Sequence, residues 1–147
     1  MAAASPRLPL PAAGIIPHAA PMLLVDEVLA LRDGGGVVRA CPAPDWPLAG
    51  PDGEVAAEAG VEMAAQAYAA VRGAALAPGA PSPSLGYLVG VQDFRIVGRV
   101  RVGDDLRVEV STVGEFAGFA VVEAVLRRGP DELARGRLKV WTPEAGA

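Results

Sequence analysis

Apolar and polar residues alternate along residues 106–111, in which Leu106, Val108 and Val110 are separated by single polar residues. A period of two is typical of a β-strand with one face on the core and the other in water. Comparable apolar segments, separated by turns rich in Gly, Asp and Pro, lie nearby in the chain. We therefore predict four antiparallel strands in the second half of the chain, over residues 85–102, 106–113, 119–127 and 133–141.

Two further apolar segments, residues 22–32 and 37–41, lie on either side of the glycines at residues 34–36. Periodicity alone does not distinguish strand from helix in segments this short. Their connection across consecutive glycines favours a hairpin, so we predict that both segments are strands.

Residues 55–76 have a different composition, because they are rich in alanine and contain no proline. Alanine favours helix, whereas the valine that dominates the second half of the chain favours strand. We therefore predict one long helix over residues 55–76. Its few charged residues indicate that it is buried on most sides.

This order of elements predicts an α+β fold, in which a long central helix is wrapped by a curved antiparallel sheet in a single domain. The sheet would cover the helix on one side only, so a second copy is expected on the other side and we predict a dimer. Residues 1–14, rich in alanine and proline, are predicted to form a flexible N-terminal arm before a domain of residues 15–147.

Composition and charge exclude several classes of function and of site. The 147 residues are 52% hydrophobic and 20% charged, which is typical of one globular domain. The formal net charge of -4 lacks the basic excess of a nucleic-acid-binding protein, and no segment has the roughly twenty apolar residues that span a membrane. One histidine and one cysteine exclude a disulfide within the chain and leave a Cys/His zinc site short of ligands. The single Cys41 fits a reducing cytoplasm.

Three polar side chains in the predicted helix are candidates for chemistry. Glu58, Glu62 and Gln66 are spaced by four residues, which places them close to one stripe of a helix. A carboxylate in so apolar a helix is costly unless it is paired, hydrogen-bonded or protonated, and a carboxyl group kept protonated suits a general acid. The alternative interpretation is that the stripe simply faces water.

His18 lies in an apolar segment flanked by prolines, before the first predicted strand. A single loop histidine is more often a surface or structural residue than a catalyst, but histidine chemistry by this chain has to use His18. Other candidates are weaker. Residues 34–36 lack the Lys-Ser/Thr of a phosphate-binding loop, Asp26 and Glu27 are expected at a strand end, and residues 103–105 form a predicted turn.

Four segments carry a resemblance to a known family. Residues 16–28, Ile-Pro-His-Ala-Ala-Pro-Met-Leu-Leu-Val-Asp-Glu-Val, resemble the opening of the hot-dog-fold 3-hydroxyacyl-acyl-carrier-protein dehydratases. Residues 60–67, Gly-Val-Glu-Met-Ala-Ala-Gln-Ala, are similar to their central helix, and residues 88–91 and 102–106 are similar to later strand motifs. The resemblance runs from about residue 16 to residue 141, in the family's order.

The chain differs from the ordinary dehydratases in the loop before the helix. Those enzymes carry a catalytic histidine there in a Gly-His-Phe-Pro motif, whereas residues 45–50 of this chain are Asp-Trp-Pro-Leu-Ala-Gly. The chain is more similar to the divergent branch found in aryl-polyene biosynthesis clusters, which has the Pro-His opening and a Gly-(Ile/Val)-Glu pattern. Some members of that branch work as one half of a mixed dehydratase dimer.

The resemblance implies a hot-dog fold and the loss of water from a 3-hydroxyacyl thioester, giving the trans-2-enoyl thioester without a cofactor. It implies His18 as the base and Glu62 as an acid kept protonated by apolar surroundings. Backbone N–H groups at Gly60 and Val61 would bind the thioester carbonyl, and Gln66 would orient Glu62 or close the acyl tunnel. The implied partners are an acyl-carrier-protein or acyl-CoA substrate and a second hot-dog subunit, identical or different, with no nucleic acid or membrane.

Alternatives from other functional classes stay open. A non-catalytic partner subunit of a hot-dog dehydratase would explain the missing loop histidine. A thioesterase on the same fold would use Glu58 or Glu62 to activate water against an acyl thioester. A ligand-binding dimer without turnover is a further alternative, since fold does not determine function.

Overall fold

The computed structural model describes residues 5–76 and 86–143. In these residues the chain forms one α-helix and nine β-strands. In chain order they are β1 (Leu10–Pro11), β2 (Glu27–Arg32), β3 (Gly35–Ala40), β4 (Glu54–Val55), α1 (Ala59–Ala74), β5 (Tyr87–Ile96), β6 (Val100–Arg101), β7 (Leu106–Phe116), β8 (Phe119–Arg128) and β9 (Asp131–Trp141).

Seven strands form one antiparallel sheet in the order β1-β2-β3-β7-β8-β9-β5, and β4 pairs with β6 in a small second sheet. The helix α1 packs mainly against β2, β3, β7 and β8, and ten of its sixteen residues are buried. This arrangement confirms the predicted α+β fold with one central helix wrapped by an antiparallel sheet. In the described part of the chain, no helix is long and apolar enough to cross a membrane.

The helix is shorter than the predicted residues 55–76. Glu54 and Val55 form β4 and pair with β6, and the N–H of Ala56 donates to the carbonyl of Leu48 at 2.8 Å. These backbone bonds hold residues 54–56 outside the helix, which begins at Ala59 after Glu58.

The strand β2 begins at Glu27, later than the predicted residue 22. The N–H of Leu24 and the carbonyl of Met22 both bind the side chain of Gln66 on α1, so they have no strand partner. The rest of the predicted hairpin is confirmed, because β2 and β3 pair across a turn in which Gly34 has a φ of 74°.

The predicted strand over residues 85–102 is divided into β5 and β6, and residue 85 itself lies outside the described residues. Between the two strands, the N–H groups of Val97 and Gly98 both donate to the carbonyl of Leu133, at 2.8 and 3.1 Å. A Cβ on Gly98 would lie 2.5 Å from Cδ2 of Leu133, so a larger residue here would have to displace the Leu133 side chain. The three predicted strands that follow are confirmed as β7, β8 and β9, with β7 extended to Phe116.

Part of the predicted N-terminal arm is packed. Leu10 and Pro11 pair with β2, and Ala12 is fully buried with its N–H donating to the carbonyl of Asp26 at 2.9 Å. From Leu10 onwards this segment therefore belongs to the packed domain, because the sheet supplies backbone partners that the local sequence does not indicate. Residues 1–4 lie outside the described residues.

The strand β5 forms one edge of the seven-stranded sheet and is exposed along most of its length. We use the term apolar edge for its exposed large hydrophobic residues, which are Tyr87, Leu88, Val89, Val91 and Ile96. An unpaired edge strand with apolar side chains is a surface that proteins normally cover.

Candidate functional site

The two residues proposed for acid–base chemistry lie side by side in one chain. Nε2 of His18 is 3.5 Å from Oε1 of Glu62, although the residues are far apart in the sequence. Both side chains are 34% exposed, so they are reachable from solvent without being fully solvated. A proton can move between groups at this separation after a small adjustment or through one water molecule.

The segment before β2 holds His18 against the helix. The N–H groups of Ile15 and Ile16 both donate to the carbonyl of Ala12, which folds the segment into a tight turn. Ile16 is buried in the core, and Ile15 lies so close to Gly73 of α1 that a Cβ there would overlap its side chain. The turn and this close approach fix Ile15 against the last turn of α1, and His18, three residues later, lies beside Glu62 near the beginning of the helix.

A buried amide connects this segment to Glu62. Gln66 is 1% exposed, and its Oε1 accepts a hydrogen bond from the N–H of Leu24 at 2.8 Å. Its Nε2 donates to the carbonyl of Met22 at 2.8 Å and to Oε1 of Glu62 at 2.9 Å. Gln66 therefore fixes the Glu62 carboxyl group while it anchors the chain that follows His18. The carboxyl group has polar neighbours, in contrast to the purely apolar surroundings that the resemblance implied.

The two ring nitrogens of His18 have different environments. Nδ1 is buried and has no hydrogen-bond partner among the described residues, whereas Nε2 faces Glu62. Because Nδ1 is inaccessible, Nε2 is the atom that can exchange a proton with Glu62 or with a bound molecule.

A cavity of about 310 Å³ adjoins His18. Three parts of the chain line it, namely residues 14–18, one face of α1, and the beginning of β5 together with the end of β9. Most of its lining side chains are apolar, so the space beside His18 suits a hydrocarbon chain. Glu62 is not among the lining residues. The lining residues from α1 are Ala65, Tyr68, Ala69 and Arg72.

The beginning of α1 does not provide the predicted donors for a thioester carbonyl. The N–H of Gly60 donates to the carbonyl of Ala57 at 3.1 Å, and the N–H of Val61 donates to the carbonyl of Glu58 at 3.2 Å. The helix thus begins with a tight turn that already uses these two donors. Gly60 also lines a separate cavity of about 110 Å³, which does not include His18. In this structure the N–H groups of Gly60 and Val61 are therefore bound within the first turn of the helix, and Gly60 lies at a cavity other than the one beside His18.

Comparison with protein-family models identifies the chain. A model of ApeP-like proteins, described as ApeP dehydratase, matches residues 10–147. The chain belongs to the ApeP-like dehydratase family. A search of curated proteins found no significant match.

Solved structures show that this ApeP-like chain has the hot-dog fold. The dehydratase heterocomplex ApeI:P from Xenorhabdus doucetiae aligns with a TM-score of 0.80 and 24% identity, covering 92% of this chain and 93% of that one. The uncharacterized protein PH1136 from Pyrococcus horikoshii aligns with a TM-score of 0.65 and 18% identity, covering 85% and 88%. A hypothetical thioesterase from Streptococcus pneumoniae TIGR4 with coenzyme A aligns with a TM-score of 0.62 and 12% identity, covering 80% and 84%.

In this ApeP-like chain, the loop that replaces the Gly-His-Phe-Pro motif is part of the packed structure. Trp46 is buried, and its carbonyl accepts a hydrogen bond from the N–H of Ala49 at 3.0 Å. The N–H of Gly50 donates to the carbonyl of Glu54 at 2.8 Å, which ties the loop to β4. The loop supplies an aromatic core residue, and the histidine of the chain is held by a different segment.

Acidic residues outside the site have structural partners. Oδ2 of Asp104 accepts a hydrogen bond from the N–H of Arg101 at 2.8 Å, within the predicted turn. Hydrogen bonds from Arg39 and Arg107 lower the pKa of Asp105 from its ordinary value of 3.8 to about 2, so this group stays ionised and is a poor acid–base catalyst. Among the described residues, no group of three His, Cys, Asp or Glu side chains is arranged to hold a metal ion.

Two cavity residues of this ApeP-like chain were missed by sequence reasoning. Tyr68 and Arg72 line the cavity beside His18, together with Ala65 and Ala69. The signal was their spacing, because positions 65, 68 and 72 continue from Glu62 in steps of three, three and four residues. Such steps follow one face of a helix.

Proposed function

We propose that this chain dehydrates a 3-hydroxyacyl thioester to the trans-2-enoyl thioester, with His18 as the base and Glu62 as the acid. The observation that carries the proposal is the 3.5 Å approach of the His18 and Glu62 side chains, together with the apolar cavity that His18 lines. Membership of a dehydratase family supports the reaction class. We further propose that the acyl group is carried by an acyl carrier protein.

The reaction needs one proton acceptor and one proton donor. Nε2 of His18 takes the proton from C2 of the substrate, and the electron pair of that C–H bond forms the C2=C3 double bond. The hydroxyl group leaves C3 with the proton of Glu62, as water. Because His18 and Glu62 adjoin each other, the proton gained by the imidazole can return to the carboxylate, which restores both groups for the next turnover.

Gln66 acts as a positioning residue in this mechanism. Its Nε2 donates to Oε1 of Glu62 and leaves Oε2 free of that contact. The amide therefore holds the carboxyl group in one orientation while the second oxygen carries the proton to the leaving hydroxyl group. Gln66 is 1% exposed and its amide is bound to Leu24, Met22 and Glu62, so we propose that it acts through Glu62 and not as part of an acyl tunnel.

We propose that a second hot-dog subunit, identical or different, pairs with the apolar edge. The exposed strand β5 supports this proposal because, among the described residues, no strand pairs with its outer edge and its large apolar side chains are exposed. The ApeI:P structure is itself a heterocomplex. Since His18 and Glu62 come from one chain, the partner is not needed to complete the acid–base pair.

The test is enoyl formation from a carrier-protein-bound 3-hydroxyacyl thioester, measured by mass spectrometry as the loss of one water. We expect His18→Ala and Glu62→Gln each to lower the rate by at least about a hundredfold, because each removes one proton-transfer group. Glu58→Gln is the matched control, since Glu58 is exposed and, unlike Glu62, has no contact with His18 or Gln66 among the described residues. It is expected to leave the rate unchanged.

The same assay separates the alternatives. Retained activity in both site variants would overturn the assignment of His18 and Glu62. Release of free thiol without an enoyl product would indicate a thioesterase. Turnover that requires a second hot-dog protein and survives both substitutions would indicate a non-catalytic partner subunit.

A further inference from the structure

The cavity beside His18 is separated from a second cavity by a few side chains. The second cavity has a volume of about 430 Å³ and is lined by the hairpin that connects β7 and β8. Tyr68, Arg72 and Thr142 line both spaces, so they form the boundary between them. The two cavities therefore follow each other along the same face of α1.

Arg72 is held at this boundary from two sides. Its Nη1 lies 3.2 Å from Oε1 of Glu115 on β7, and its guanidinium carbon lies 5.9 Å from the ring centroid of Tyr68. Tyr68 is only 6% exposed, so the ring is a fixed support. The Arg72 side chain thus extends across the boundary from α1 to the β7–β8 hairpin.

We infer that Arg72, held by Glu115 and Tyr68, is the end stop that sets the length of acyl chain accepted beside His18. The inference rests on the proposed function, because its occupant is the acyl chain of the thioester substrate. That occupant is indicated by the apolar lining of the cavity, which His18 also lines, and by the 3.5 Å approach of His18 to Glu62.

The distance from Glu62 to Arg72 and the free energy of burying each methylene group are consistent with a limit on the length of the acyl chain. Ten residues separate Glu62 from Arg72 on the helix, which corresponds to about 15 Å at a rise of 1.5 Å per residue. A chain that ends before Arg72 gains roughly fourfold in affinity for each buried methylene. A longer chain has to displace the guanidinium group or strip its water, and this cost removes the gain.

The ion pair itself is a weak anchor, because both side chains are exposed. The stop therefore depends on the position and the charge of Arg72 and not on the strength of its bond to Glu115. Truncation of Arg72 is expected to open a connection between the two cavities past Tyr68 and Thr142, whereas removal of Glu115 only frees the guanidinium group from its ion pair.

The test measures the affinity of the full-length protein for saturated acyl-CoA thioesters from hexanoyl to hexadecanoyl, by isothermal titration calorimetry. For the unmodified protein we expect affinity to rise with length up to a break point and then to stay level or fall. In Arg72→Ala the break point moves to longer chains, and affinity continues to rise roughly fourfold per methylene beyond the original limit. Glu115→Ala is expected to move it in the same direction by less.

Arg137→Ala is the matched control, because it removes the same charge from an exposed position outside both cavities. It is expected to leave the break point unchanged, and thermal melting curves confirm that each variant is folded. An unchanged break point in Arg72→Ala, an equal shift in Arg137→Ala, or no dependence on length in the unmodified protein would each overturn the inference.

Saturated chains lack the 3-hydroxyl group, so the length profile does not depend on dehydration. A shifted break point in a protein that forms no enoyl product would support the end stop and contradict the proposed reaction. Active dehydration, combined with a break point in Arg72→Ala identical to that of the unmodified protein, would support the proposed reaction and contradict the end stop.

Discussion

At the scale of single residues, one buried amide, the side chain of Gln66, connects the candidate site to the core. Gln66 uses both N–H groups and one oxygen lone pair, and its partners are two backbone groups before β2 and the Glu62 carboxyl group. A polar side chain in so apolar an environment is tolerated because its hydrogen bonds are made. Its removal therefore affects both stability and the position of Glu62.

Gln66→Ala is predicted to lower the free energy of unfolding by about 3 kcal/mol, because it leaves the Leu24 N–H and the Met22 carbonyl without their buried partner. Chemical denaturation followed by circular dichroism measures this loss. Gln92→Ala is the control, since Gln92 is exposed on β5 and its substitution is expected to change stability by no more than about 0.5 kcal/mol. Equal effects of the two substitutions would contradict the structural role of Gln66.

The sequence indicated that Glu62 and Gln66 are unusual polar residues in an apolar helix. It did not show how much their exposure to solvent differs. A step of four residues advances about 40° beyond a full helical turn, so two such steps move a side chain well around the helix. Glu58 is exposed, Glu62 is partly exposed and Gln66 is buried. The partners of Gln66 lie more than forty positions away in the chain, and no local pattern contains that contact.

At the scale of elements, the contact of β5 with β9 depends on a glycine. A Cβ on Gly136 would lie 2.5 Å from the Cα of Phe94, so the two backbones approach more closely than any side chain permits. The pairing of β5 with β9 shifts its register between Gln92 and Arg95, and Asp93 has a φ of 50° within this irregularity. The Phe94 ring also reaches the beginning of α1, where it lies 3.7 Å from the position of a Cβ on Gly60.

Gly136→Ala is predicted to destabilise the protein by about 2 kcal/mol or more, because the clash is with backbone and cannot be relieved by a rotamer change. Gly114→Ala is the control, since Gly114 lies in β7 with open space around the position of its Cβ. Thermal unfolding compares the two variants. A similarly small loss of stability in both variants would show that β5 can move away from β9 without a cost in free energy.

The sequence predicted whether each element is a helix or a strand better than it predicted the residues at which each element begins and ends. Alanine content and valine content separate the helix from the sheet because each reflects a local backbone preference. The errors lie where a backbone group finds a distant partner, as at Val55 in β4, at Leu24 beside Gln66 and at Leu10 in β1. Such pairings depend on the folded chain and leave no periodic signal.

At the scale of the whole molecule, the apolar edge is the surface that most requires a partner. The strand at the opposite edge of the sheet is the short β1. The edge strand β5 has ten residues and exposes large apolar side chains to solvent. The sequence predicted a dimer from the expectation that the sheet covers only one side of α1. The structure supplies a different reason, which is the length and composition of the free edge.

Val91→Lys is predicted to prevent assembly through the apolar edge, because a lysine on an edge strand opposes pairing with another strand. Val113→Lys is a matched control, since Val113 is 51% exposed and Val91 is 46% exposed, but Val113 lies in β7. Size-exclusion chromatography with light scattering measures the mass of each assembly. A Val91→Lys protein that keeps the mass of the unmodified assembly would show that the partner binds elsewhere.

The presence of His18 and Glu62 in one chain has a consequence for stoichiometry. When the acid and the base come from different subunits, the number of active centres depends on which subunits meet. Here each copy of the chain brings its own pair, with the two side chains 3.5 Å apart. Under the proposed mechanism, the number of active centres in a mixed assembly equals the number of copies of this chain. The equivalent positions of an unlike partner are then free to change during evolution without loss of the reaction.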